Sequence, residues 1–515
     1  MGKQFFDAMA TVHDDVYNRS VTENGAVGFK TTGKNLLDLN FGIASMRSSP
    51  EDHIGKTFLR AFIDDKVTAM KWLFFARDVR GGLGERRFFR AAILALSNAY
   101  PEYVTPLISL IPEYGRWDDL FCLLDSDTAG VRDEVLRIIS EQLHADMVGC
   151  EDKEPISLLG KWLPSVKSKR LEARHQAHTI YTALHMSRGE YQRACSMLRK
   201  HLDIVECRMS DGQWDEIKYE AVPSKANLRY NKAFLRHDEE RRREYLDAVN
   251  KGEAKINAAT LFPHDIVNKY RRSSTVDDTL EALWRELPDT VNGCGNTIVV
   301  SDESGSMTWV TLPNSTARPL EVAESLAIYF AERSSGQFKN RFITFSNDPR
   351  LIDMSTGKTL RDKLTIVRSG RVGSSTNVEA VFNLILDTAI QNHMAQEDIP
   401  QNILIISDME FNECATGNGD WGNRDLTPRL FEVIAQKYTD AGYQLPRLVF
   451  WNVASRTGTI PIKENKMGVA LVSGFSPNIA RMVMSGQTDP YACLLETINT
   501  PRYQPVEDVL SSLST

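Results

Sequence analysis

Asn296-Thr-Ile-Val-Val-Ser-Asp-Glu-Ser-Gly-Ser-Met307 joins an apolar strand to a cluster of oxygen-bearing side chains. Thr297–Val300 is rich in β-branched residues and suits a central parallel strand buried on both faces. It runs directly into Asp302-x-Ser304-x-Ser306, with Gly305 allowing a tight turn. One carboxylate and two hydroxyls are thus expected at the carboxyl end of a strand, where open α/β sheets bind ligands. Hard oxygen donors of this kind suit Mg²⁺, and Mn²⁺ in its place. Taken alone, the stretch equally fits a Ser/Gly loop in which Asp302 caps the next helix.

Two more oxygen-bearing positions follow in the order such a site needs. Thr376 lies in Gly373-Ser-Ser-Thr-Asn377, and Asp408 follows the apolar run Ile403–Ile406. With these three motifs, residues 296–500 resemble a von Willebrand factor A domain, and a domain of that type is expected over 296–515. The resemblance implies a metal-ion-dependent adhesion site. Asp302, Ser304, Ser306 and Thr376 would approach the ion, and Asp408 would hold a metal-bound water. It also implies a protein partner that completes the coordination with an acidic side chain.

Elsewhere the C-terminal half alternates strand and helix signals. Helix Leu320–Arg333, strand Arg341–Phe345, helix Val378–Asn392, strand Asn402–Ile406, helix Thr427–Thr439, strand Arg447–Trp451 and strand Val469–Leu471 predict a doubly wound, mostly parallel sheet. The polar, glycine-rich loop Asn412–Arg424 is expected to rim the metal site.

A chain of 515 residues with 42% hydrophobic and 25% charged residues is too long for one core and has the composition of a globular protein. No apolar run is long enough to span a membrane, and no signal peptide opens the sequence. Seven scattered cysteines without a C-x-x-C pair fit reduced thiols in a cytoplasm. The net charge of −7 argues against nucleic-acid binding by the chain as a whole. Its distribution is uneven: residues 161–245 hold 18 Lys/Arg against 12 Asp/Glu, whereas 296–515 hold 19 against 24. Such asymmetry marks either a basic working surface or two solvated faces.

Residues 1–50 lack periodicity and read as an extended N-terminal arm, with Asp38–Phe41 as the part able to pack. From 51 to 290 the period becomes helical. Phe58, Ala61 and Phe62, then Ala69, Trp72, Leu73 and Ala76, share helix faces, and the pattern returns in Phe88–Leu96, Tyr103–Ile111, Leu120–Leu124, Val131–Met147 and Gln176–Met186. Short helices with short connections predict an α-helical repeat, a HEAT-like solenoid or ring.

Within it, Arg77-Asp-Val-Arg80-Gly-Gly-Leu-Gly-Glu-Arg86-Arg87 fits either a glycine turn among solvated charges or an anion-binding bend built from backbone N–H groups and arginines. Lys167, Lys169 and Arg170 form a second cationic cluster. Lys225, Arg229, Lys232 and Arg236 step by three and four, so a helix would align them in one stripe able to neutralise phosphates.

The R-D-V-R-G-G-L-G-E-R and Y-G-R-W-D-D stretches, followed by an A domain, resemble the organisation of TROVE (telomerase, Ro and vault) proteins. They are closer to a family of bacterial, viral and plant proteins with the same two parts. Arg193–Arg199, Trp214–Tyr219, Val222–Ala226, Asn231–Asp238, Ser407-Asp-Met-Glu-Phe411 and Phe450-Trp-Asn452 also resemble that narrower family. The Ro autoantigen ribonucleoproteins are more distant relatives on this reading. The resemblance implies a non-enzymatic RNA-binding protein whose helical repeats hold RNA. The alternative is a metal-dependent protein–protein scaffold without RNA. No Ser–His or Cys–His arrangement points to a catalyst.

Overall fold

The computed structural model describes residues 17–25, 27–271, 273, 275–291, 296–309, 317–345, 348–370, 377–411, 427–461, 469–480, 482 and 489–513. The chain forms two compact units: residues 1–49 with 261–497, and residues 50–260 with 498–515. One is a mixed α/β unit and the other is helical. No helix among the described residues is long and apolar enough to cross a membrane.

The helical unit begins with helices Glu51–Asp64, Lys66–Arg77 and Arg86–Ala99. Phe58, Phe62, Trp72, Leu73 and Phe89 are buried there, as the helical period requires. The segment expected to be one helix, Tyr103–Ile111, instead runs through three short pieces: Pro101–Val104, Thr105–Leu110 and Ile111–Tyr114. A proline stands at the start of each, and its missing N–H and fixed φ restart the helix there. Longer helices resume at Ala129–Asp152, Leu171–Ala183, Arg188–His201, Ser224–His237 and Glu239–Lys251.

Residues 498–515 belong to this unit, so the expected A-domain span of 296–515 is too long by its last segment. Polar anchors explain the return. Buried Lys71 donates to Asn499 Oδ1 at 2.8 Å and Glu507 Oε2 at 2.6 Å. Fully buried Asp78 accepts from Arg502 and from the Tyr503 hydroxyl.

In the α/β unit, the N-terminal residues form a hairpin of β1 (Arg19–Val21) and β2 (Val27–Phe29), followed by helix Asn35–Gly42. The expected extended arm is therefore corrected from residue 17 onward; residues 1–16 lie outside the described residues. Leu36, Leu37, Leu39, Phe41 and Ile43 are buried, which outweighs the polar composition of the segment.

Among the described residues six further strands are β3 (Thr297–Asp302), β4 (Arg341–Phe345), β5 (Leu351–Asp353), β6 (Asn402–Ser407), β7 (Arg447–Asn452) and β8 (Ala470–Ser473). They lie in the order β5-β4-β3-β6-β7-β8, all parallel except β5, which runs antiparallel on β4 at the edge. β5 was absent from the sequence expectation: three residues with only Ile352 buried carry no usable period. Val300, Ile343, Ile405, Phe450 and Leu471 share one core with Phe382, Tyr438 and Phe41. Helix Pro319–Arg333, between β3 and β4, is buried nearly all round. Its Glu324 is consequently neutralised by Arg368, through contacts of 3.0 and 3.2 Å.

Candidate metal centre and cationic surface

β3 and β6 are adjacent, and the chain winds away from them in opposite directions. This is a topological switch point, where the strand ends leave a crevice. The parallel register pairs Ser301 with Ile406. Its continuation brings Asp302 beside Ser407, the last residues of their strands. The Ser407 hydroxyl donates to Asp302 Oδ2, and the Ser304 backbone N–H donates to Oδ1 at 2.9 Å. Ser304 and Ser306 share a hydroxyl–hydroxyl hydrogen bond of 2.9 Å. Asp408, immediately past β6, accepts from the Glu410 N–H through Oδ1 at 3.2 Å.

The two carboxylates are almost completely buried: Asp302 is 0% exposed and Asp408 is 1% exposed. Burial pushes the Asp302 carboxyl above the usual range, against the pull of hydrogen bonds from Ser407 and Ser304. Burial, followed by the charge of Asp302, pushes Asp408 up to about 7. Among the described residues Asp408 Oδ2 accepts no hydrogen bond; Arg456 Nη2 stands 3.6 Å away. A cation would relieve both conditions, because it supplies the missing partner and offsets adjacent negative charge. The donor set is carboxylate and hydroxyl oxygen, so the residues present fit a hard divalent ion. Among the described residues no group of three or more His, Cys, Asp or Glu side chains is placed to hold a metal ion, so hydroxyls would have to complete the site.

Asp302, Ser304, Ser306 and Asp408 are thus brought to one place. Thr376 and the loop Asn412–Arg424 lie outside the described residues. Ser407 was missed as a site residue in the sequence. Its signal was available: it precedes Asp408 at the strand end neighbouring Asp302.

The cationic candidates separate into two groups. Arg77 is 5% exposed and pairs with fully buried Asp119 at 2.6 Å, which also binds Arg90 at 2.7 Å and the Arg116 N–H at 2.9 Å. The R-D-V-R and Y-G-R-W-D-D stretches are therefore halves of one internal ion network, and Arg77, expected to meet phosphate, is instead committed to Asp119. The anion-binding bend is corrected as well. The N–H groups of Gly82 and Gly84 donate to the Asp78 carbonyl, that of Leu83 to Phe75 and that of Glu85 to Ala76. Those donors are spent within the protein. A Cβ on Gly82 would stand 1.9 Å from the Phe75 carbonyl oxygen, so this glycine serves close backbone approach.

Arg86 lies 3.8 Å from Asp118, and Arg87 lies 3.8 Å from Glu51. Arg80, Lys167, Lys169 and Arg170 are exposed, with Arg170 held by Glu172 at 2.6 Å. Lys225, Arg229, Lys232 and Arg236 are all exposed along helix Ser224–His237. The opposite side of that helix packs Ala226 and Phe234 against Val205, Ile217, Tyr219 and Val222.

Two families match this chain. The one described as Domain of unknown function (DUF2828) covers residues 122–300, and Domain of unknown function (DUF7788) covers 296–496. The chain is also 30% identical, over 529 residues, to "Uncharacterized protein L728" of Acanthamoeba polyphaga mimivirus. That match spans 95% of this chain and 89% of the viral protein, and the chain belongs to the same family as that mimivirus protein.

Proposed function

We propose that the α/β unit is a divalent-cation-binding module of the von Willebrand A type within a non-enzymatic RNA-binding protein. The observation that carries the metal reading is the convergence of Asp302, Ser304, Ser306 and Asp408 at the β3–β6 switch point, with one buried carboxylate oxygen lacking a hydrogen bond among the described residues. Asp302 and the two serines would hold Mg²⁺ or Mn²⁺, with Thr376 as a further donor and Asp408 acting through a water. The ion would supply a fixed positive charge for an acidic group of a partner. The chain's own contribution is to orient Asp302 through Ser407 and Ser304 and to keep the site dry through its burial.

The RNA reading rests on helix Ser224–His237. Arg229, Lys232 and Arg236 on its exposed face make no ion pair among the described residues. Their spacing along a helix face fits a run of phosphates rather than base edges. The organisation of a TROVE-like helical region followed by an A domain, with Ro ribonucleoproteins as distant relatives, is part of the same proposal, as is a cytoplasmic location.

Two measurements test it. Calorimetric titration of the purified chain with MnCl₂ is expected to show one saturable site that Asp302→Ala removes. Fluorescence anisotropy with a mixed-sequence RNA is expected to show salt-dependent binding. Metal binding without RNA binding at low ionic strength would replace this reading with that of a metal-dependent protein–protein scaffold.

A further inference from the structure

Arg456 stands between two carboxylates of very different burial. Its Nη2 lies 3.6 Å from Asp408 Oδ2, inside the candidate metal centre, and 2.7 Å from Glu23 Oε2. Glu23 is in the turn that links β1 to β2, and its side chain is 49% exposed, against 1% for Asp408.

The arrangement is built from below. Fully buried Glu410 accepts from the backbone N–H groups of Arg456 and Thr457 through Oε1, at 2.9 and 3.0 Å. Through Oε2 it accepts from the N–H of Glu23 at 2.9 Å. One carboxylate therefore fixes the backbones of both members of the Arg456–Glu23 pair. The hairpin is held at the same place by Thr22, whose hydroxyl donates to the Phe411 carbonyl at 2.8 Å, and by Asn24, whose amide donates to the Glu410 carbonyl at 2.6 Å. On its other side, Phe29 and Ile460 exchange two backbone hydrogen bonds of 2.8 Å. Each of these contacts reaches a residue within four positions of Asp408 or Arg456 in sequence.

We propose that Arg456 is an internal counter-ion of the metal centre. It pairs with Asp408 when no cation is present, and Glu23 of the N-terminal hairpin sets how readily it gives that carboxylate up. This deepens, and rests on, the metal-binding reading above. A guanidinium and a divalent cation compete for the same buried charge. Arg456 therefore lowers metal affinity, and Glu23, by drawing Arg456 outward, restores part of it. Linkage makes the effect reciprocal: a bound cation shifts Arg456 toward Glu23 and tightens the docking of the hairpin.

The experiment is Mn²⁺ calorimetry on the full chain. It compares wild type, Arg456→Gln, Arg456→Lys and Glu23→Gln. Arg456→Gln is expected to bind Mn²⁺ about tenfold tighter, within the 5–150-fold range of ordinary coupling between sites. Arg456→Lys retains the charge and is expected to stay close to wild type. Glu23→Gln is expected to bind about threefold more weakly, as suits a half-exposed pair. Hydrogen exchange supplies an independent readout: Mn²⁺ should slow exchange of the Glu23 amide in wild type and leave it unchanged in Arg456→Gln.

If wild type and Arg456→Gln bind Mn²⁺ equally, the counter-ion proposal is overturned while the metal reading stands. Binding by Arg456→Gln alone would support the proposal in its strongest form. Binding by neither protein would overturn the metal reading, and the proposal with it.

Discussion

Ser407 Oγ donates a hydrogen bond to Asp302 Oδ2 across the boundary between β6 and β3. The two residues are the last of neighbouring parallel strands, and both are fully buried. The bond leaves Asp302 with a fixed orientation at the switch point, the role that outer partners play for metal-ligating side chains. Ser407→Ala is therefore expected to weaken Mn²⁺ binding by about tenfold while Asp302→Ala abolishes it. Calorimetry measures both, and far-ultraviolet circular dichroism should show the sheet intact in each. Equal affinity in Ser407→Ala and wild type would remove the orienting role.

The carboxylate pair also sets a pH dependence. Asp302 is raised by burial, and Asp408 is raised to about 7 by burial and by the charge of Asp302. Between the ordinary carboxylate pKa near 4 and about 7, the folded chain holds more protons than the unfolded chain. Stability of the metal-free protein is thus expected to fall as pH rises through that window, opposite to the trend of a salt-bridged carboxylate. Asp408→Asn should flatten the fall, and saturating Mn²⁺ should cancel or reverse it. Thermal unfolding across about pH 5–8 checks the sign.

Much of this site was legible because its chemistry sits in short runs. Thr297–Val300 signals a strand by composition, and Asp302, Ser304, Ser306 and Asp408 follow directly on strand ends. The contribution of Glu23 and Arg456 was not legible, since nothing local in either residue's surroundings points to the other. Their meeting depends on hairpin packing against the segment after β7, which only tertiary contacts determine. The arginine-rich stretches misled for a related reason. Arg77 looks like a solvated or phosphate-binding cation until Asp119, far along the chain, is seen beside it. Charge density alone does not distinguish a buried network from a working surface.

Asp119 is the shared acceptor for Arg77 and Arg90, and its removal leaves buried Arg77 without its carboxylate, while Arg90 keeps only Asp118, at 3.0 Å. Asp119→Ala is expected to destabilise the helical unit by about 3–5 kcal/mol. The loss would appear in urea unfolding followed by helical circular dichroism. A change below about 1 kcal/mol would mean that the network is as weak as a surface pair.

Helix Ser224–His237 carries an exposed cationic stripe. Arg229 and Lys232 are exposed, and the helix is anchored through Ala226 and Phe234 on its other side. Reversing both cations to Glu should therefore leave the thermal midpoint nearly unchanged. If the stripe meets phosphates, RNA affinity in wild type should fall with salt at a log–log slope of about −0.7 per single-strand phosphate neutralised. The Arg229→Glu/Lys232→Glu variant should flatten that slope by roughly the contribution of two phosphates and lose affinity similarly for unrelated sequences. Anisotropy titrations with a mixed-sequence RNA at several salt concentrations read both quantities. Arg77→Gln supplies the contrast, because its side chain is committed to Asp119: it should lower stability and leave the salt slope of the folded protein unchanged. An unaltered slope in the double variant would move the RNA surface away from this helix.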